Sequence, residues 1–165
     1  MFRDMRRKAQ ILSEVECKSI LKAASSGVLA VSGDDGYPYA VPLSFVYDNG
    51  SIFFHCAGAG HKYDAIKSCD KASFCVIAQH AVVPEEYTTY FKSVIAFGRV
   101  NFVDGDERLT ALEKLALKYY PDDNAQHREM SINKELSRVV IVELKIEHMT
   151  GKQAIELKNA DARNQ

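Results

Sequence analysis

Val28-Leu29-Ala30-Val31-Ser32-Gly33-Asp34-Asp35-Gly36-Tyr37-Pro38-Tyr39-Ala40-Val41-Pro42-Leu43-Ser44-Phe45-Val46-Tyr47-Asp48-Asn49-Gly50-Ser51-Ile52-Phe53-Phe54-His55-Cys56 is three extended runs joined by two tight turns. Val28–Val31 is a short apolar strand closed by Gly33-Asp34-Asp35-Gly36. Tyr37–Tyr47 reads as a second strand. It carries Pro38 and Pro42, which donate no backbone hydrogen bond and so belong at a sheet edge or an irregularity. Asp48-Asn49-Gly50 is a hairpin turn, because Asn-Gly tolerates positive φ, and Ser51–Cys56 is the third strand. Junctions this short require antiparallel pairing. A parallel nucleotide-binding sheet needs regular strand–helix alternation, which these three strands lack.

The flanking sequence extends the pattern. Residues 1–12 form a charged arm. Ser13 and Glu16 make a capping box for a helix over about 14–25, with Val15, Ile20, Leu21 and Ala24 at helical spacing and Gly27 ending it. A helix is predicted from His61 to about Asp70, a buried strand over Ala72–Ala78, a polar loop over 80–89, and a long strand over Tyr90–Val103. Leu109, Leu112, Leu115, Ala116 and Tyr119 define an amphipathic helix stopped by Pro121, and a further helix covers Ala125–Leu136. Val139–Ile146 is the sixth strand. Thr150-Gly151-Lys152 is read as a turn into a polar tail over 152–165. The expectation is one domain over 1–165, mainly β with helices (α+β). A six-stranded antiparallel barrel hides the edges of so small a sheet.

Composition narrows the function classes. The 165 residues carry a formal net charge of −1, which excludes a strongly basic coat for nucleic acid. Apolar residues make up 47%, and no apolar run approaches the ~20 residues that span a bilayer. Met1-Phe2-Arg3-Asp4-Met5-Arg6-Arg7-Lys8 has no apolar stretch after its charges, so no secretory leader is expected. The four cysteines form no Cys-x-x-Cys pair, and a cytoplasmic setting is expected.

Three segments hold residues suited to chemistry. In Phe53-Phe54-His55-Cys56-Ala57-Gly58-Ala59-Gly60-His61-Lys62 a strand ends, glycines turn the chain and a helix starts on a cation. A helix N-terminus carries about half a positive charge, and Lys62 adds a whole one, which suits a phosphate. The same glycines could serve the turn alone, since neither a Walker loop nor a dinucleotide fingerprint is present. His55 and Cys56 are adjacent on a strand and point to opposite faces, so with His61 they make no local metal site. Pro38–Phe45 leaves irregular backbone whose amides suit the edge of a flat heteroaromatic ring, or simply makes a proline-protected edge. In Tyr90–Arg99, Lys92 and Arg99 could meet a phosphate and Ser93 could donate to it, or all three could be solvated. No Gly-x-Ser-x-Gly elbow supports a serine hydrolase.

These pieces, in this order and spacing, resemble the pyridoxamine 5′-phosphate oxidase-like flavin-binding split barrels, and among them the nitroimidazole-resistance type. The Met5-Arg6-Arg7-Lys8 arm, Gly36–Leu43, Phe54–Ala57 with Gly60-His61-Lys62, Lys92–Gly98 and Thr150-Gly151-Lys152 carry the resemblance, over most of the chain. It implies a six-stranded split barrel and a homodimer with FMN, or in some relatives FAD, at the subunit interface. By the same resemblance Val41, Pro42, Leu43 and Ser44 line the isoalloxazine through backbone contacts. Gly60, His61 and Lys62 hold the phosphate, and Ser93 with Lys92 completes that end. His55 lies near cofactor and substrate as the candidate catalytic residue. Many relatives have Gly-Arg-Lys where this chain has Gly60-His61-Lys62, so Lys62 bears more of the phosphate here.

The implied activity is that of a flavin-dependent oxidoreductase, a nitroreductase acting on a small nitro compound. Two other functions stay open: a flavin carrier or sensor without catalysis, and a haem-binding split barrel with a histidine ligand. Pyridoxamine 5′-phosphate oxidation itself is less expected, because that enzyme's C-terminal arginine signature is missing.

Overall fold

β1 (Ser26–Ser32) turns through Asp34–Gly36 and returns as β2 (Pro38–Ser44), paired in antiparallel register from Ser26↔Ser44 to Ser32↔Pro38. Asp35 and Gly36 take φ of 54° and 80° in that turn. The second expected strand does not continue to Tyr47. It breaks at Phe45, and β3 (Val46–Asp48) folds through Asn49-Gly50 onto β4 (Ser51–Ala57). The sheet therefore has seven strands where six were expected, in the order β2-β1-β5-β6-β7-β4-β3. Its other strands are β5 (Lys71–Val83), β6 (Thr88–Val103) and β7 (Val139–Gln153). The helices are α1 (Glu14–Ala23), α2 (His61–Ser68), α3 (Gly105–Tyr119), α4 (Ala125–Glu135) and α5 (Ile155–Arg163). This computed structural model describes residues 2–163.

β2 and β3 are the two margins of the sheet, yet only Phe45 separates them in the chain. Residues two steps apart lie at most about 7 Å apart, so the margins converge there and the sheet rolls into a barrel with a split seam. Phe45 is fully buried at this corner. Its N–H donates to the Tyr119 hydroxyl at 2.8 Å, and that hydroxyl also lies 2.5 Å from the Ser25 carbonyl and 3.0 Å from the Phe45 carbonyl. Lys118 places its ammonium 4.1 Å from the Phe45 ring centroid. Tyr119→Phe strands the Phe45 N–H, and we expect a loss of about 1–3 kcal/mol in urea unfolding. A change below about 0.5 kcal/mol would show that water replaces the phenol.

The core fills the barrel. Leu29, Phe45, Ile52, Phe54, Phe74, Val94, Ala96, Val142 and Leu144 meet inside it, with Leu12, Cys17 and Leu21 from the arm and α1. Phe53, Val103, Ala111, Leu112, Leu115 and Ile141 form a second cluster, where α3 covers the outside of β4 and β7. β4 is thus buried on both faces, which is why Ile52-Phe53-Phe54 is a continuous apolar run. The capping box of α1 forms as read: the Ser13 N–H donates to Glu16 Oε2 at 2.7 Å, and the Glu16 N–H donates to Ser13 Oγ at 3.3 Å.

Five further expectations change. Gly27 does not end α1, which stops at Ala23; it lies inside β1. The polar loop over 80–89 is a β-ribbon: β5 and β6 pair out to Val83↔Thr88 around a turn at Pro84–Glu86. Thr150-Gly151-Lys152 is not a turn but the continuation of β7 beside β6. A Cβ on Gly151 would lie 2.3 Å from Cys17 Sγ and 2.8 Å from Leu12 Cβ, so this glycine admits the arm and α1 against the sheet. The arm is not merely a charged extension, since Gln10 and Leu12 are buried and Ile11 bridges Lys152. Within the expected tail, Gln153 and Ala154 are buried and α5 follows; Asn164 and Gln165 lie outside the described residues. Among the described residues no helix is long and apolar enough to cross a membrane.

Candidate functional site

The glycine turn delivers α2 with its first turn open. Gly60, the N-cap, sits at φ 102° and ψ 170°, a conformation essentially confined to glycine, and no side chain caps the helix. The next amides, unpaired within the helix by its geometry, are left for a ligand or water. Gly58 has no positive φ, so only the second glycine is demanded by the backbone.

His61 packs flat on Tyr39, with ring centroids 4.0 Å apart and planes within 16°. Its Nε2 lies 3.8 Å from Asp34 Oδ2, in the turn between β1 and β2. The helix start and the proline strand, separate in the sequence, are therefore in contact. Tyr39 makes that contact and was not singled out beforehand. Its signal was available: Tyr39, Val41 and Leu43 alternate with Pro38, Ala40, Pro42 and Ser44, and the first set packs against the core. β2 is a sheet margin, as its prolines require, so one side of its backbone faces away from any strand neighbour. Val41 and Leu43 point their side chains inward, while Pro42 and Ser44 are exposed.

His55 lies on the outer face of β4, toward its C-terminal end, opposite Ile141 of β7. Partial burial, and then the charge of Lys62, hold its imidazole below the ordinary value of 6.5, with Glu135 acting in the other direction. His55 and Lys62 thus share one end of the barrel. Because the unfolded chain protonates first, this histidine costs stability as the pH falls through about 6.5 and toward the lower folded value. His55→Gln should therefore show a smaller drop in Tm between about pH 7.5 and 5.5 than the parent chain. Equal drops in both would remove His55 from the acid response.

Ser93 and Lys92 lie elsewhere. Ser93 pairs with Ile77 and Lys152, and the β1–β5 register extends that row to Ser26 and Ser44. His61 instead contacts the Gly33–Tyr39 end, in the row of Ser32, Lys71 and Arg99. Six residues of strand separate the two rows on β6, about 20 Å. One chain does not bring Ser93 to Lys62.

A cleft of about 890 Å³ lies between the arm, α1 and β7, lined by Arg3, Cys17, Lys18, Tyr47 and Met149 among others, and contains none of the candidate residues. A shallower cavity of 520 Å³ lies on the outer sheet face beside Ala30, Ser73, Phe97 and Arg99. All four cysteines are free; burial pushes the Cys17 thiol up to about 11, which makes it a poor nucleophile. Among the described residues no three His, Cys, Asp or Glu side chains converge as a metal site.

The family model described as pyridoxamine 5′-phosphate oxidase matches residues 13–153, from the N-cap of α1 to the end of β7. The chain belongs to the pyridoxamine 5′-phosphate oxidase family. Solved structures agree on the fold. A candidate 5-nitroimidazole antibiotic resistance protein from Bacteroides thetaiotaomicron superposes with a TM-score of 0.73 at 20% identity, covering 87% of this chain and 86% of that one. A conserved hypothetical protein from Mycobacterium tuberculosis gives 0.76 at 17%, covering 91% and 90%. The FAD and haem binding protein from Mycobacterium smegmatis gives 0.73 at 20%, covering 89% and 74%. At these identities the likeness is one of fold. A search of curated protein sequences finds no match.

Proposed function

We propose that the chain is a flavin-binding oxidoreductase of the nitroreductase type, working as a homodimer with the flavin between subunits. The observation that supports this reading best is the contact of Tyr39 with His61, which joins an edge strand to an uncapped, cation-bearing helix start in a family of flavin-related split barrels. The residues fit the group. Open amides at α2 and the Lys62 ammonium suit a phosphate, which needs pre-oriented positive donors. The free margin of β2 over Val41–Ser44 offers backbone donors and acceptors to a flat ring. Bound flavin supplies the electron transfer to the substrate.

The chain's own residues do the rest. Lys62 and the α2 amides fix the anionic end. Tyr39 holds the imidazole of His61 flat beside it. His55, held below its ordinary value by burial and by Lys62, is poised as a neutral imidazole that could accept a proton and become imidazolium. Ser93 and Lys92 reach a phosphate only from a second copy, which closes the slot that one small barrel leaves open. FMN is the first choice of flavin. FAD is the alternative.

Release of the chromophore from purified protein, identified by mass and spectrum, tests the cofactor: FMN or FAD supports the reading, and a Soret band in place of a flavin spectrum overturns it. Anaerobic reduction with NAD(P)H and metronidazole tests the reaction. Loss of the nitro absorbance is expected; a flavin that turns over no nitro compound leaves a carrier or sensor.

A further inference from the structure

Two glutamines lie inside the protein where the arm meets the sheet. Gln10 is 6% exposed and Gln153 4%, and with Ser51 they are the only buried polar residues among those described. Ser51 gives its hydroxyl to Glu143 at 2.6 Å. The glutamines have no such outlet. The Oε1 of each is enclosed and lacks a hydrogen-bond partner among the described residues. A buried amide oxygen left unpaired forfeits its hydration with no return. Turning either amide over strands its N–H2 group in the same place.

The register brings the two together. Ile11 bridges Lys152 in antiparallel sense, and the Leu12 N–H donates to the Gly151 carbonyl at 3.0 Å. One step along that register sets Gln10 opposite Gln153. Exposure follows the same alternation, since Gln10 and Leu12 are buried while Ile11 between them is 41% exposed. Opposed residues on one face have Cβ atoms about 5 Å apart, close enough for two glutamine amides to share one small occupant. Both orphans are acceptors, so that occupant must donate twice. Leu12 and Cys17 close in over Gly151, and the buried Ala154 follows Gln153. The enclosure suits a single water.

We infer that an internal water sits between Gln10 and Gln153, donating one hydrogen to each Oε1, and that it locks the arm to β7. The apolar contacts of Leu12 hold the arm down, and the water sets where along β7 it lies. A slip of one residue would bring Ala9 or Ile11 opposite Gln153 and strand its amide.

A crystal structure of the parent chain that resolves ordered water tests the site. A water within about 3.2 Å of both Oε1 atoms is expected. Lys92 opposes Gln153 on β6, so its ammonium is the competing donor. Finding that ammonium, a metal ion or nothing between the two oxygens would overturn the inference. Hydrogen exchange tests the lock in Gln10→Met, Gln153→Met and the double variant, whose side chains are close in volume to the parent's. Each single variant should speed exchange of the Leu12 N–H about tenfold, with Val142, away from the arm, unchanged. The double variant should fall well short of the product of the two, because it leaves neither amide stranded. Exchange unchanged in all three, or effects that simply multiply, would overturn the lock. Should a variant fail to fold, the crystal structure of the parent chain decides alone.

Discussion

Gly98→Ala is expected to lower stability by about 3 kcal/mol or more, the upper end for forcing atoms into a filled interior. β6 and β7 change register here: Phe97 opposes His148 while Gly98 opposes Ile146, leaving Glu147 as an extra residue on β7. The bulge drives the β7 backbone into the space a side chain would occupy. A Cβ on Gly98 would lie 2.0 Å from the Lys145 carbonyl oxygen, 2.8 Å from its carbon and 3.1 Å from Ile146 Cα. None of these is a flexible side-chain end that could swing away. The ladder between β6 and β7 must therefore deform. A large drop in the urea midpoint with an unchanged m-value is the expected signature. A loss under about 1 kcal/mol would mean that the bulge slides to make room.

Lys62→Ala should weaken FMN by about 1.5–3 kcal/mol, roughly 10- to 150-fold, the range for a hydrogen bond to a charged group. The substitution sits in the first turn of α2, where alanine is well tolerated, so the fold should persist. Riboflavin, which lacks the phosphate, supplies the control: its affinity should hardly change. Equal losses for both ligands would place Lys62 beside the ring or in the fold, and equal FMN affinity in parent and variant would remove it from the phosphate end.

Much of the architecture was legible because it is written in local chemistry. Asn49-Gly50, Gly33–Gly36 and the Ser13–Glu16 box each specify a backbone event within a few residues, and each occurs. What the chain does with distance was hidden. The break at Phe45 depends on Tyr119, 74 residues on, whose hydroxyl takes the place of a neighbouring strand. Gly151 looked like a turn because its reason, the approach of Cys17 and Leu12, lies in a helix and an arm far upstream. Residues 80–89 of the ribbon read as a loop for their polar residues, since pairing between strands leaves little mark in so short a window. The same holds for the site. Gly60 and Lys62 follow from spacing, whereas the stack of Tyr39 on His61 appears only once β1 and β2 have brought residue 39 across.

The position of β7 bears on how the chain is made. It lies between β6 and β4, joining Ser51 to Lys145 and Val103 to Ile141, yet it follows the other six strands in synthesis. Until it emerges from the ribosome, β4 and β6 each present a bare hydrogen-bonding edge beside apolar side chains. The nascent polypeptide must wait through more than thirty residues of α3 and α4 in that state, an interval in which a holding chaperone would find its ideal client and slow translation would favour aggregation.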